Sequence, residues 1–433
     1  MNTLFAALVF ISFLTAGYRQ WSWVEGNGKA PMEQLTSAMV DTAASSVTLA
    51  LGLVGVMALF LGLMKVAEKG GVLLLLARLI RPLMIRLFPE VPPDHPAMGA
   101  MIMNMSANAM GLGNAATPFG IRAMHELDRL NPHKGTATNA MALFLAINTS
   151  SVTLLPTSVI ALRASVNSND PAAILPTTLF ATFCSTLVAI LAVKGLQRFF
   201  PAHSTSHGDT QNTSPTPSNL SQDPEPWVDN GKNYPAWVSL VTLLGFVGMI
   251  PLTILFGRSL SPWIIPGLMV TLLVFGLLRR VAIYEAFVEG AREGFDVAVR
   301  IIPYLVAILV AIGMFRASLA MDFLVSLIAP WTTPWGLPAE ALPMAFLRPL
   351  SGSGSYGLMA SLLQDPAIGP DSYTGMLVST IQGSSETTFY VLAVYFGAVG
   401  VNKMRHTLAA ALLSDVVAIM ASVAICTWLF PQG

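Results

Sequence analysis

Glu386 lies in Gln382–Thr388, QGSSETT, between the apolar runs Met376–Ile381 and Phe389–Val399. A carboxylate at mid-bilayer depth costs on the order of 2.5–3.5 kcal/mol even on lenient insertion scales, so it marks a candidate site. It could bind a cation, carry a proton or accept hydrogen bonds from a polar solute. The plainer reading is a static pair with Arg348, the other charge in a polar interruption of this half.

Three more stretches set polar groups into apolar sequence. In Met101–Thr117, MIMNMSANAMGLGNAAT, Asn104 and Asn108 are four apart and share one helix face. Amides in hydrocarbon need partners, so they line a ligand site or act as glue between helices. In Ala146–Thr157, AINTSSVTLLPT, the polar run Asn148, Thr149, Ser150 and Ser151 stands ahead of Pro156. Proline removes a backbone donor and frees the carbonyl four residues earlier. Such a run reads as a broken helix whose ends offer partial charges to a solute or cation, or as a kink solvated by hydroxyls. The last stretch, Arg348–Gly357, RPLSGSGSYG, carries Ser351, Ser353 and the spacing Gly352-x-Gly354-x-x-Gly357. A dinucleotide finger needs a strand before it and an acidic residue about 20 positions on. Here LPMAFLRP puts a proline where the strand should turn, so the glycines mark a close backbone approach instead.

Catalytic patterns are missing from the sequence. There is no GxSxG or HExxH, the six histidines are scattered, and Cys184 and Cys426 sit in separate apolar segments as buried thiols. The expectation is a protein that is not an enzyme, with no catalytic residue, metal site or cofactor. Zero net charge gives no pointer to nucleic acid.

The elements that hold these stretches must be membrane helices. Of 433 residues, 54% are hydrophobic and 11% charged, against about a quarter charged in soluble domains; mean hydropathy is +0.64. Thr42–Met64, Pro96–Ile121, Gly135–Leu162, Pro171–Val193, Asn233–Gly257 and Ser259–Leu278 contain no charged residue. Roughly 20 apolar residues span a bilayer, and backbone groups in lipid must be satisfied internally, so these runs are helices. Met1–Tyr18 reads as a first membrane helix, since it lacks a basic start for a signal peptide.

Residues 201–233, rich in Ser, Thr, Pro, Asn and Asp, read as a disordered tether. It divides the chain into 1–200 and 234–433, and the halves share an order of features. Ala146–Ser151 answers Thr380–Ser385, Leu61–Lys65 answers Ile312–Arg316, and Met105–Asn108 answers Leu350–Ser353. The fold class expected is an all-α polytopic membrane protein of two homologous repeats with interrupted, broken or re-entrant, helices. Such duplications suggest a transporter with its site at the repeat interface. Whether the repeats are parallel or inverted is left open by the helix count.

The stretches 103–127, 139–164, 284–318, 348–354 and 382–400 resemble the spore maturation proteins A and B. The first half is A-like and the second B-like, as a fusion. Both families carry a nucleoside recognition, or gate, domain, which is also found in concentrative nucleoside transporters and the ferrous-iron transporter B. The resemblance implies a multi-pass protein of the bacterial inner membrane with paired gate-type repeats, and it supplies no substrate. The resulting expectation is a secondary transporter of a small polar solute, nucleoside-like among the options, coupled to Na⁺ or H⁺. Asn104, Asn108, Asn148, Ser150 and Ser151 would face Ser351, Ser353, Gln382, Ser384, Ser385 and Glu386, with Glu386 and Arg348 as coupling or ion pair. The rival is a non-transporting scaffold in envelope or spore maturation. Partners are the lipid bilayer and the solute, and a homo-oligomer is allowed.

Overall fold

The computed structural model describes residues 2–24, 28–111, 113–150, 152–200 and 265–430, with isolated positions between 237 and 263. Ser151 and the 201–233 stretch lie outside the described residues. Among the described residues the structure is helical, with no strand and a single bridge between Thr136 and Lys403. Helix α1 (Asn2–Trp21) precedes α2 (Pro31–Lys69), α3 (Val72–Leu87), α4 (Pro96–Ala109), α5 (Gly113–Arg129), α6 (Asn139–Thr149), α7 (Thr157–Ser165) and α8 (Leu175–Leu196). Helix α9 (Ile265–Leu278) precedes α10 (Ile283–Ala317), α11 (Ala320–Thr332), α12 (Leu342–Leu350), α13 (Gly352–Gln364), α14 (Tyr373–Ser384), α15 (Thr388–Ala398) and α16 (Thr407–Leu429). The series from α10 repeats the series from α2, element for element.

Local chemistry repeats with it. The Thr138 hydroxyl accepts from Met141 N at the start of α6, and Ser372 accepts from Gly375 N at the start of α14. Such caps satisfy one of the orphan donors of a first turn. Helices α4 and α8 begin with proline in the first two positions, where the missing N–H is no loss.

Corresponding helices pack antiparallel. Along α2 and α10, Gly62 lies against Phe287, Gly290 against Leu61, Gly294 against Ala58 and Gly313 against Thr42, so numbering rises on one as it falls on the other. The glycines let two long backbones approach closely. Between α8 and α16, Ser185 Oγ donates to Ser414 O at 3.0 Å, and Arg405 Nε, just before α16, reaches Phe200 O at 3.0 Å just past α8. Antiparallel counterparts mean that the two repeats are inverted, related by a pseudo-two-fold axis across the helices.

At 1.5 Å per residue, the 39 residues of α2 outrun a hydrocarbon core of roughly 30 Å. The surplus carries the charges: Lys65 pairs with Glu293 at 3.0 Å and Glu289 at 3.6 Å where α2 ends and α10 begins. Among the described residues Pro31–Lys69, Leu175–Leu196 and Thr407–Leu429 are each long and apolar enough to span, and the pair Leu305–Ala317 and Ala320–Trp335, bent by 73°, reaches four. The chain is a multi-pass membrane protein.

Each apolar core draws on both series. The largest joins Met98, Met101 and Phe144 with Leu392 and Phe396, a second joins Leu53, Phe60 and Ile160 with Leu309, Met359 and Ile381, and a small third joins Leu35 with Met314.

A Cβ on Gly294 would stand 2.8 Å from Ala58 Cα, whereas one on Gly195 meets nothing within 4 Å. Gly294→Leu is therefore expected to destabilise the protein by about 1–3 kcal/mol through overpacking. Gly195→Leu leaves the thermal unfolding midpoint in detergent unchanged.

Candidate functional site: a polar cavity at the helix breaks

Helical structure stops after Ala109, Thr149, Leu350 and Ser384, and resumes at Gly113, Thr157, Gly352 and Thr388. Every break falls within one of the four polar interruptions. At two of them a serine lies in extended backbone, Ser351 at φ −155° and Ser385 at φ −149°. Gly111 takes φ +74°, and a Cβ there would collide with the Leu155 carbonyl, so a glycine is required.

The breaks satisfy one another. Leu154 N donates to Ala109 O at 2.9 Å, tying the α6–α7 break to the end of α4. Glu386 N donates to Thr149 O at 2.8 Å, joining the α14–α15 break to its counterpart in the other repeat. The Ser150 carbonyl accepts from Thr186 Oγ1.

These segments enclose a cavity of about 400 Å³. Met57 and Leu61 of α2 and Val297 and Leu305 of α10 form its apolar sides. Its polar groups come from all four breaks: Asn108, Thr157, Arg348, Ser353, Gln382, Ser385 and Glu386. Tyr356 also lines it, with its hydroxyl donating to Ser158 O at 3.3 Å.

Of the residues expected at a site, Asn108, Arg348, Ser353, Gln382, Ser385 and Glu386 therefore share one cavity. The others are placed elsewhere. Asn104 does not act together with Asn108; it is fully buried, and its Nδ2 donates to Ala116 O at 2.7 Å and Tyr395 OH at 3.2 Å. Asn148 lies behind Asn108, accepting from its Nδ2 at 2.9 Å and donating to Phe144 O at 2.9 Å. Ser150 Oγ turns back to Ala146 O at 2.8 Å, and Ser384 Oγ to Ile381 O at 3.1 Å. Ser351 caps α13 by accepting from Gly354 N at 3.0 Å. These hydroxyls and amides hold the breaks in shape.

Glu386 is not the buried carboxylate its flanks suggest, because its side chain is 49% exposed. Arg348 is 5% exposed; its Nη1 donates to Thr387 Oγ1 at 3.1 Å, while Nη2 stands 3.9 Å from Glu386 Oε2. The two charges are neighbours without a hydrogen bond. Arg348 Nε and Gln382 Oε1 are buried and have no partner among the described residues.

Two charged groups escaped the reading of the sequence. Asp415, 3% exposed in the middle of α16, accepts from Thr388 Oγ1 at 2.7 Å, and Arg348 acts on it electrostatically. The signal that exposed Glu386, an acid in an apolar span, was present there too. Arg163, fully buried at the end of α7, donates to Pro370 O at 2.6 Å and to Asp371 Oδ1 at 3.1 Å. It ties the α7–α8 turn to the α13–α14 turn of the other repeat.

Inverted repeats with paired helix breaks around a polar cavity define a class of polytopic membrane protein. By sequence the chain belongs to the Gate family, described as nucleoside recognition, which matches residues 50–166 and 298–402. It is 47% identical over 171 residues to spore maturation protein B of Bacillus subtilis strain 168, covering 40% of this chain and 95% of that protein. To spore maturation protein A of the same strain it is 43% identical over 169 residues, covering 39% and 84%. One chain thus combines A-like and B-like sequence. The inner membrane protein YjiG of Escherichia coli K12 is 29% identical over 96 residues, 22% of this chain and 63% of that one. A solved structure of a CNTnw double variant in an outward-facing state aligns with TM-score 0.43 and 14% identity over 98% of this chain and 91% of that chain.

The division between supporting and cavity-facing groups has a measurable consequence. Asn148→Leu strips the Asn108 amide of its acceptor and the Phe144 carbonyl of a donor. An expected loss of about 1–3 kcal/mol follows, seen as a lower thermal midpoint. Ser353→Ala, on an exposed cavity wall, leaves the midpoint in place.

Proposed function

We propose that the chain is a secondary transporter of a small polar solute, which binds in the cavity where the two inverted repeats meet. The observation that supports this is the convergence of all four helix breaks on one cavity. Helix breaks in hydrocarbon are tolerated where they are buried in protein or line a polar space. A scaffold would gain the same packing from unbroken helices.

In this reading α6–α7 and α14–α15 present half-helix ends to the solute, and Asn108, Gln382, Ser385 and Glu386 supply hydrogen bonds. Rocking of one repeat against the other about the Thr149–Glu386 contact would expose the cavity to each side in turn. Coupling to Na⁺ or H⁺, with Glu386 as the ion's ligand, belongs to the same proposal. So do the bacterial inner membrane, which the name of the inner membrane protein YjiG carries, and the division into an A-like half, a polar linker at 201–233 and a B-like half.

Two measurements test it. In a protein whose cysteines are replaced, Cys184→Ser and Cys426→Ser, Ser353→Cys should react with a membrane-impermeant thiol reagent from at least one side of the membrane. A packing-only scaffold predicts protection from both. In proteoliposomes supplied with a transported solute, Glu386→Gln should abolish accumulation against a gradient while the protein stays folded. Unchanged accumulation would remove Glu386 from the coupling role.

A further inference from the structure

Resting on the transport reading, the geometry points to a zwitterionic solute of the α-amino-acid type, held head-on by Arg348 and Glu386. A guanidinium carries five N–H donors in a planar fork suited to two oxygens of one oxyanion. Of these, Arg348 directs one to Thr387 Oγ1, and its Nε faces no acceptor among the described residues. Glu386 stands 3.9 Å away, outside hydrogen-bond reach and half exposed toward the cavity. A buried arginine left this underbonded carries an unmet demand for an oxyanion.

The same wall asks for donors. The Glu386 carboxylate accepts only, and Gln382, which contributes to the cavity lining, has a buried Oε1 acceptor without a partner among the described residues. An α-amino acid carries its carboxylate and ammonium on one carbon. It can lie along the Arg348–Glu386 pair with opposite charges facing, carboxylate on the guanidinium and ammonium between Glu386 and Gln382.

Charge balance separates this from simpler ligands. The two charges on the cavity lining, Arg348 and Glu386, cancel, so a zwitterion leaves the lining neutral, whereas a plain anion or cation adds a net charge to it. A nucleoside offers hydroxyls to Glu386 but no formal anion to Arg348. The cavity of about 400 Å³ has room beyond the head group. Met57, Leu61, Val297 and Leu305 there meet the solute's side chain.

The test uses full-length protein in lipid nanodiscs and thermal stabilisation as readout. The probes are the free L-amino acids, their amides, their N-acetyl derivatives and uridine. At least one free amino acid should raise the midpoint saturably, and its amide and N-acetyl forms should bind about tenfold or more weakly, each having lost one charge-assisted contact. Arg348→Lys, which keeps the charge and loses the fork, should weaken the free amino acid by a similar factor. Glu386→Gln, at an exposed side chain, tests the other half of the pair without burying a new group. The inference is overturned if no free amino acid stabilises the protein, if blocking either charge leaves affinity unchanged, or if uridine stabilises wild type and both variants alike. Those results would not touch the transport reading, which stands or falls on labelling at position 353.

Discussion

Unpaired backbone inside a membrane is the constraint on which the arrangement depends. Each helix end leaves up to four donors or acceptors unsatisfied, and hydrocarbon offers them nothing. Four interior breaks would multiply that penalty in an isolated repeat. Here the ends are matched to each other: Leu154 N to Ala109 O within the first repeat, and Glu386 N to Thr149 O between repeats. Hydroxyls close others, Thr186 on the Ser150 carbonyl and Ser351 on Gly354 N. The breaks are stable because the repeats are joined, and the apolar cores accordingly mix residues of the two series.

Inversion makes each contact at one end of the molecule recur, in altered chemistry, at the other. The α5–α6 turn meets the α15–α16 turn through backbone: Asn402 N and Lys403 N donate to Gly135 O, and Ala137 N to Lys403 O. Arg405 adds bonds to Ala137 O at 3.0 Å and Asn139 Oδ1 at 3.1 Å. By the pseudo-two-fold, the matching pair is α13–α14 with α7–α8, and there Arg163 reaches Pro370 O and Asp371. An arginine closes each end. One end adds a short backbone ladder and the other an ion pair on a buried arginine, so the two ends are closed with different forces.

The repeat and the breaks were legible in the sequence because both are written in local composition. Uncharged runs of spanning length mark helices, and Ser, Asn and Pro inside them mark interruptions. The inversion was not legible: antiparallel packing of α2 on α10 rests on Gly62, Gly290 and Gly294 meeting specific partners, and a list of helices does not encode pairing. The candidate site was legible to the level of segments. Which hydroxyls face the cavity was not, since Ser353 and Ser351 are two residues apart and differ only in that one caps a helix. Asn104 and Asn108 show the same limit. They share a helix face, yet one is turned into the Tyr395 contact and the other to the cavity rim.

Arg348 ties the site's charges together. It stands beside Glu386 at the cavity and acts on Asp415 within the protein, and the chain links these acids through adjacent residues. Thr387 accepts from Arg348, and Thr388 donates to Asp415. The first turn of α15 therefore sits between a half-exposed carboxylate and a buried one. Thr387 and Thr388, neighbours in sequence, bond to opposite partners, Arg348 at the cavity and Asp415 inside the protein. The start of α15 is thereby held on both sides by hydrogen bonds, one to a cavity-lining cation and one to a buried acid.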